Sequence, residues 1–323
     1  MPVSRKKSSE NGSSYQLYLG VDGGGTKTNI SLINKAGEVI GEGSGGPANP
    51  LRVGVERAVA NIVKAADAAC DTGGVSRGDI AAATLGLAGV RRQDIRELVK
   101  ERFADVYGVR KTTVITDADI ALYGTTLGEP GVVVIAGTGS ICLGVNAEGE
   151  RAIAGGWGPL AGDEGGGRGI AESALHQIAK ASDGRGPKTS LSERAAEYFR
   201  ASNVENLIVA IYAPTMDNSR IAGFARFVVD AAKEGDAVAL EIISDAGREL
   251  GEAAAAVMRK LSLQKQKVPV GCVGSIFNAG KLLTDPMERI IHEVDRAAYL
   301  TEPKMSPSRA AALMATNGAV KRK

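Results

Sequence analysis

Several residue types are scarce in this chain of 323 residues, and each shortage closes a route. There are three cysteines, Cys70, Cys142 and Cys272, far apart and in no Cys-x-x-Cys spacing, so a disulfide framework or a thiolate metal site is not expected. Only His176 and His292 are present, which leaves little for a histidine triad or a zinc hydrolase. No run approaches the roughly 18 apolar residues of a membrane span, and the amino terminus has no apolar signal core, so the expected location is the cytoplasm. Charge of one sign is also missing. The formal +2 includes +5 from Arg5, Lys6, Lys7, Glu10 and the terminal Lys321, Arg322 and Lys323. Removing +5 from +2 leaves −3 on the body, which argues against a nucleic-acid surface.

What is abundant is glycine, 42 residues of it, and its placement repeats. Gly25 and Thr26 return as Gly137 and Thr138, and Asn34, Gly37 and Glu38 return as Asn146, Gly149 and Glu150, each pair 112 positions apart. In the first copy Leu17, Leu19 and Val21 alternate with Tyr18, Gly20 and Asp22; past the glycines, Thr28, Ile30 and Leu32 do the same. The pattern predicts a strand, a tight turn, a second strand and an Asn-x-x-Gly turn into a third strand over 39–43, all of it repeated from Val132. A helix whose apolar face runs from Val55 to Ala66, a strand over 82–87, a helix over 94–103 and a strand over 113–115 follow the first copy. A mostly helical insert over 171–226, a long helix carrying Val238 to Leu261 on one face, a strand over 268–273 and an Ala-rich helix over 309–315 follow the second. Two similar domains are implied, each a mixed sheet covered by helices. The polar leader 1–14 reads as a disordered tail.

Gly23, Gly24, Gly25, Thr26 and Lys27 do not fit a dinucleotide fingerprint or a P-loop, because a strand rather than a helix follows them. Glycines let backbone N–H groups approach phosphate oxygens, Thr26 adds a hydroxyl and Lys27 a charge. Asp22 is placed to hold Mg2+ through water. A plain Gly-rich turn would read the same way, but the echo in Gly137, Thr138, Gly139 and Ser140 favours a phosphate grip. Asp117, where a strand meets a helix, is suited to take the proton of a hydroxyl attacking a γ-phosphate, although an aspartate there also makes a good helix cap. Asp119, in the first helical turn, suits the helix dipole or metal-bound water. The run 155–167 holds Gly156, the single Trp157, Asp163 and Glu164, a combination suited to a sugar, whose C–H face packs on rings and whose hydroxyls bond to carboxylates. A structural loop with Trp157 buried is the alternative. Asn49 either reaches the same pocket or belongs to a plain turn, and Gly274 and Ser275 end a strand where a backbone can lie against adenine or ribose.

In this order the motifs resemble the acetate and sugar kinase, Hsp70 and actin superfamily, within it the N-acetylglucosamine kinases that share a domain with the BadF/BadG/BcrA/BcrD ATPases. The resemblance spans roughly 17–319. It implies an α/β fold of two ribonuclease H-like (actin-like ATPase) domains, each a mixed sheet flanked by helices, with a cleft between them. The domains would cover 15–128 plus 305–323, with the first phosphate motif, and 129–304, with the second phosphate and adenosine motifs. It also implies ATP-dependent phosphorylation of an amino sugar, N-acetylglucosamine at O6 foremost, with Mg2+. Asp117 would be the base, with Asn49, Gly156, Trp157 and Asp163 around the sugar, and the molecule would be a homodimer. Gly274-Ser275 departs from the usual Gly-Gly, and Arg309 stands where a small residue is common. The zinc-loop cysteines and the Glu-x-Gly-His motif of the other large bacterial sugar-kinase family are missing, which excludes that branch. The alternatives are the activator ATPase of a 2-hydroxyacyl-CoA dehydratase or benzoyl-CoA reductase, whose [4Fe–4S] cluster needs closely placed cysteines, and a non-catalytic sugar sensor.

Overall fold

The computed structural model describes residues 16–265 and 267–316. The leader 1–14 and the terminal lysines and arginine lie outside the described residues. Backbone contacts divide the chain into two units, Met1–Ile120 with Pro307–Lys323, and Ala121–Ser306. In chain order the first unit holds β1 (Leu17–Gly23), β2 (Thr28–Ile33), β3 (Val39–Gly45), α1 (Pro50–Val53), α2 (Val55–Gly73), β4 (Ile80–Leu87), α3 (Gln93–Tyr107) and β5 (Thr112–Thr116). The dividing line falls inside α4 (Asp117–Thr126), whereas the sequence placed it past residue 128. There follow β6 (Gly131–Ala136), β7 (Ser140–Val145), β8 (Arg151–Gly155) and α5 (Gly167–Ser182). The insert continues as α6 to α9 (Leu191–Phe199, Leu207–Ile211, Asn218–Ala222 and Ala225–Lys233). Then come α10 (Ala237–Lys260), β9 (Pro269–Val273), α11 (Lys281–Val294), β10 (Tyr299–Thr301) and α12 (Pro307–Thr316). No helix among the described residues is long and apolar enough to cross a membrane.

Each unit is built on a five-stranded sheet of one pattern: β3-β2-β1-β4-β5 in the first, β8-β7-β6-β9-β10 in the second. The meander strands pair antiparallel and the last two join in parallel. The repeated Asn-x-x-Gly turns are the same object twice. The Asn34 and Asn146 side chains donate to Glu38 and Glu150, and Gly37 and Gly149 take positive φ of 82° and 80°. A side chain there would be strained, which explains why glycine recurs.

Behind the turns the copies differ by one residue. Gly23 pairs with Thr28 across four loop residues, but Ala136 pairs with Ser140 across three. The register therefore sets Ile135, not the Val134 of a strict 112-residue offset, in the place of Asp22. An apolar residue stands where the first copy has a carboxylate.

The first core forms where α2 and α3 cover one sheet face, with Leu19, Leu85, Ile62 and Phe103 fully buried. On the other face α12 lies directly on β1, because Gly20 has no side chain: a Cβ there would stand 2.0 Å from the Ser308 carbonyl oxygen and 2.2 Å from the Ala312 nitrogen. Ser308 also shares a buried 2.8 Å hydrogen bond with Ser31, and Arg309 donates to the Gly37 carbonyl, which gives that arginine a packing role. In the second unit the end of α4 rests on β9 in the same manner, with Thr125 against Gly271. The three-residue strand β10 was not foreseen; three residues give too short an alternation to read.

Candidate active site

Asp22, the sixth residue of β1, sits opposite Asn29, whose amide donates to it at 3.4 Å. Burial pushes the Asp22 carboxyl above its ordinary value, while the Asn29 hydrogen bond and the nearby Lys27 charge pull the other way. Asn29 escaped the sequence reading, although the hairpin register would have pointed to it. The turn beyond is pinned from outside: Gly24 donates to the Lys27 carbonyl and Ala48 to that of Gly24, and Arg52 reaches the Gly25 carbonyl. The Gly25 and Thr26 N–H groups make no hydrogen bond among the described residues, and Thr26 and Lys27 are exposed.

Asp117 is the first residue of α4, directly after β5, on the same strand-end edge as Asp22. The helix does not use it as a cap. Thr116 and Asp119 form the capping pair: the Asp119 carboxylate accepts from the Thr116 N–H and hydroxyl at 2.9 Å each, and the Asp119 N–H donates back to the Thr116 hydroxyl at 3.2 Å. Asp117 instead accepts from the adjacent Ala118 N–H at 3.0 Å. Burial raises the Asp117 pKa, the Ala118 hydrogen bond lowers it, and the negative charge of Asp22 raises it again. Asn49 caps α1, accepting from the Leu51 N–H, and its amide packs so closely on Gly89 that a Cβ there would lie 2.3 Å from Oδ1.

In the second unit the Gly137-Thr138-Gly139 turn is held by the start of α5: Gly167 donates to the Gly137 carbonyl and Arg168 to that of Thr138, both at 2.8 Å. Thr138 itself is exposed. Asp163, at a φ of 64°, lies with its carboxylate against Gly139, where a Cβ would come within 2.4 Å of an oxygen. Desolvation raises the Asp163 pKa, against the Ser140 and Gly158 N–H groups that lower it. The Ser140 hydroxyl donates to the Glu164 carbonyl at 2.5 Å, tying the turn to the glycine loop. Trp157 is not part of a core: it is 75% exposed, contrary to the alternative of a loop that buries it. Gly274, at a φ of 115°, runs so close to Ala136 that a Cβ would sit 2.1 Å from its carbonyl oxygen, and Ser275 opens a short 3-10 turn. This close approach brings the proposed adenosine motif beside the end of β6, next to the second phosphate turn.

Hard oxygen donors on Asp22, with Asp117 beside it, fit Mg2+, which keeps most of its waters and takes one or two carboxylates. The described residues hold no group of three or more metal-ligating side chains, so a dedicated all-protein cage is not what this site offers. The cysteines are free thiols: Cys142 is buried in β7, and Cys272 in β9 is pushed up to about 12 by burial.

Two sheets of identical strand order, each carrying a glycine turn between its first two strands, define a duplicated ribonuclease H-like α/β protein of the actin and sugar-kinase type. The BadF/BadG/BcrA/BcrD ATPase family profile matches residues 19–315, and the chain belongs to that family. It is 32% identical over 280 residues to an N-acetylmuramic acid/N-acetylglucosamine kinase of Clostridium acetobutylicum, covering 86% of this chain and 90% of that protein. It is 33% identical over 318 residues to an N-acetyl-D-glucosamine kinase of Dictyostelium discoideum, covering 94% and 99%. Among solved structures, one assigned as an N-acetylglucosamine kinase from Chromobacterium violaceum matches with a TM-score of 0.76 at 26% identity, over 93% of this chain and 99% of the other. A ROK family glucokinase from Streptomyces griseus shares the fold with a TM-score of 0.57 at 16% identity, over 93% and 99%.

Proposed function

We propose that this protein transfers the γ-phosphate of ATP to a hydroxyl of an amino sugar, N-acetylglucosamine at O6 foremost. The observation that carries the reading is Asp117: a half-buried carboxylate at a strand end, released from helix capping by Thr116 and Asp119 and raised in pKa. Asp117 takes the proton as the sugar oxygen bonds to the γ-phosphorus, and the bond to the bridging oxygen breaks to release ADP. The Gly25 and Thr26 N–H groups with Lys27, and Thr138 with the Gly137 and Gly139 backbone, hold phosphate oxygens, and Gly274 and Ser275 face the adenosine. Mg2+, held by Asp22, would offset the phosphate charge. Asn49, Gly156, Trp157 and Asp163 orient the sugar, with the Trp157 ring against its C–H face. The similarity to two amino-sugar kinases over most of the chain supports the substrate class.

The test is ADP release measured over a panel of N-acetylglucosamine, glucosamine, N-acetylmannosamine and N-acetylmuramate. If no sugar stimulates turnover above the ATP-only rate, the reading fails. Because Trp157 is 75% exposed, Trp157→Ala is expected to leave the melting temperature unchanged while raising the KM for sugar about tenfold, the scale of one lost stacking contact. Unaltered sugar kinetics would remove Trp157 from the site.

A pH dependence follows from the raised carboxyls. Asp117 works as a base only when ionised, so kcat falls as pH drops through its folded pKa, and that acid limb is expected above the value of about 4 for a free aspartate. The stability effect has the opposite sense. The folded state binds the proton more tightly than the unfolded chain, so this group's favourable contribution is present at low pH and is lost as pH rises through the folded pKa. A kcat profile with its acid limb at or below about 4 would contradict the assignment.

A further inference from the structure

The first unit holds a cavity of about 290 Å3 beside its edge strand β5. Its floor includes Thr84 of β4 and Thr113 of β5, Met314 of α12 forms a wall, and Lys100, Arg110 and Lys111 stand around it. No carboxylate lines it. None of the three cationic side chains makes an ion pair or hydrogen bond among the described residues, in a chain whose other arginines are widely paired. Thr84 is the telling residue. It is only 2% exposed, it lines the cavity, and its hydroxyl has no hydrogen-bond partner among the described residues. The hydroxyl oxygen itself is not sealed off but opens to the cavity, where a ligand oxygen can reach it. Three exposed cations stand round a cavity whose floor offers this hydroxyl donor, a chemistry suited to an anion.

We infer that this cavity binds a small phosphate monoester, the phosphate taking charge from Lys100, Arg110 and Lys111 and a hydrogen bond from Thr84, with the organic part against Met314. The site is separate from the proposed catalytic carboxylate: Thr113 is the second residue of β5 and Asp117 lies just past the far end of that strand, four residues on and about 13 Å along an extended chain. The chain's own terminal residues, Lys321, Arg322 and Lys323, carry the wrong sign to be the occupant. The inference stands independently of the reaction proposed above.

The test uses the full chain with isotope-labelled methionine methyls, titrated at low ionic strength with inorganic phosphate and with glycerol 3-phosphate. The Met314 methyl signal, assigned through Met314→Leu, reports this cavity and not the glycine turns. A saturable shift of that signal is expected with glycerol 3-phosphate, weakened at least tenfold in the Arg110→Ala/Lys111→Ala variant and at least threefold in Thr84→Val. All of these variants should melt close to the parent, and Asp117→Asn should titrate like it. A Met314 signal that does not move overturns the proposal. So does a Thr84→Val protein that titrates like the parent, because binding would then be charge attraction without a built site.

Discussion

Replacing Asp117 with asparagine is expected to lower kcat for sugar phosphorylation by roughly 10²- to 10⁴-fold, with little change in the KM for sugar. The amide keeps the shape of the carboxylate but cannot accept the hydroxyl proton. The variant should fold, since α4 is started by Thr116 and Asp119 and not by Asp117. At neutral pH it should melt at or above the parent temperature, because the substitution removes a charge that burial and the neighbouring Asp22 both disfavour. ADP release with and without sugar, together with thermal unfolding, measures both effects. Retention of near-parental turnover would reject Asp117 as the base, and a large loss of stability would reject its independence from the cap.

The largest effect on stability is expected at Gly20. A methyl group there would stand 2.0 Å from the Ser308 carbonyl oxygen and 2.8 Å from the Ala312 Cα. Both are backbone atoms of α12, which cannot swing aside as a side chain can. Gly20→Ala must push α12 away from β1, opening the contact that buries Ala312 and Ala315 against Tyr18, Ile33 and Ala82. A cost of about 3 kcal/mol or more is expected, at the upper end for overpacking. Gly271→Ala meets the Thr125 side chain at 2.3 Å, which can rotate, and should cost less. Urea unfolding of the two variants gives the order, and a Gly20→Ala protein as stable as Gly271→Ala would contradict it.

The fold was legible where the code is periodic or duplicated. The 112-residue echo located both meanders, and the Asn34 and Asn146 turns share the same side-chain bond from Asn to Glu. The long apolar face from Val238 to Leu261 marked α10 because it runs through many turns. What escaped is set by tertiary contact. That Thr116 rather than Asp117 caps α4 depends on which carboxylate bends back, and Asp117 and Asp119 are both aspartates in the first turn. The pressing of Asp163 on Gly139 joins residues 24 apart through a loop whose path carries no pattern. The one-residue difference between the glycine turns was hidden by glycines that align either way; only the pairing of Ala136 with Ser140 settles it.

The separation of Asp117 from the helix cap bears on how such a protein can change over generations. Where a catalytic residue also holds up its own scaffold, losing it destroys both, and selection removes the variant before any other use is found. Here the α4 start rests on Thr116 and Asp119, so a change at position 117 is expected to leave it in place. On the role proposed for Asp117, a lineage with this architecture would shed its chemistry in a single step and keep a folded protein, open to recruitment for binding alone.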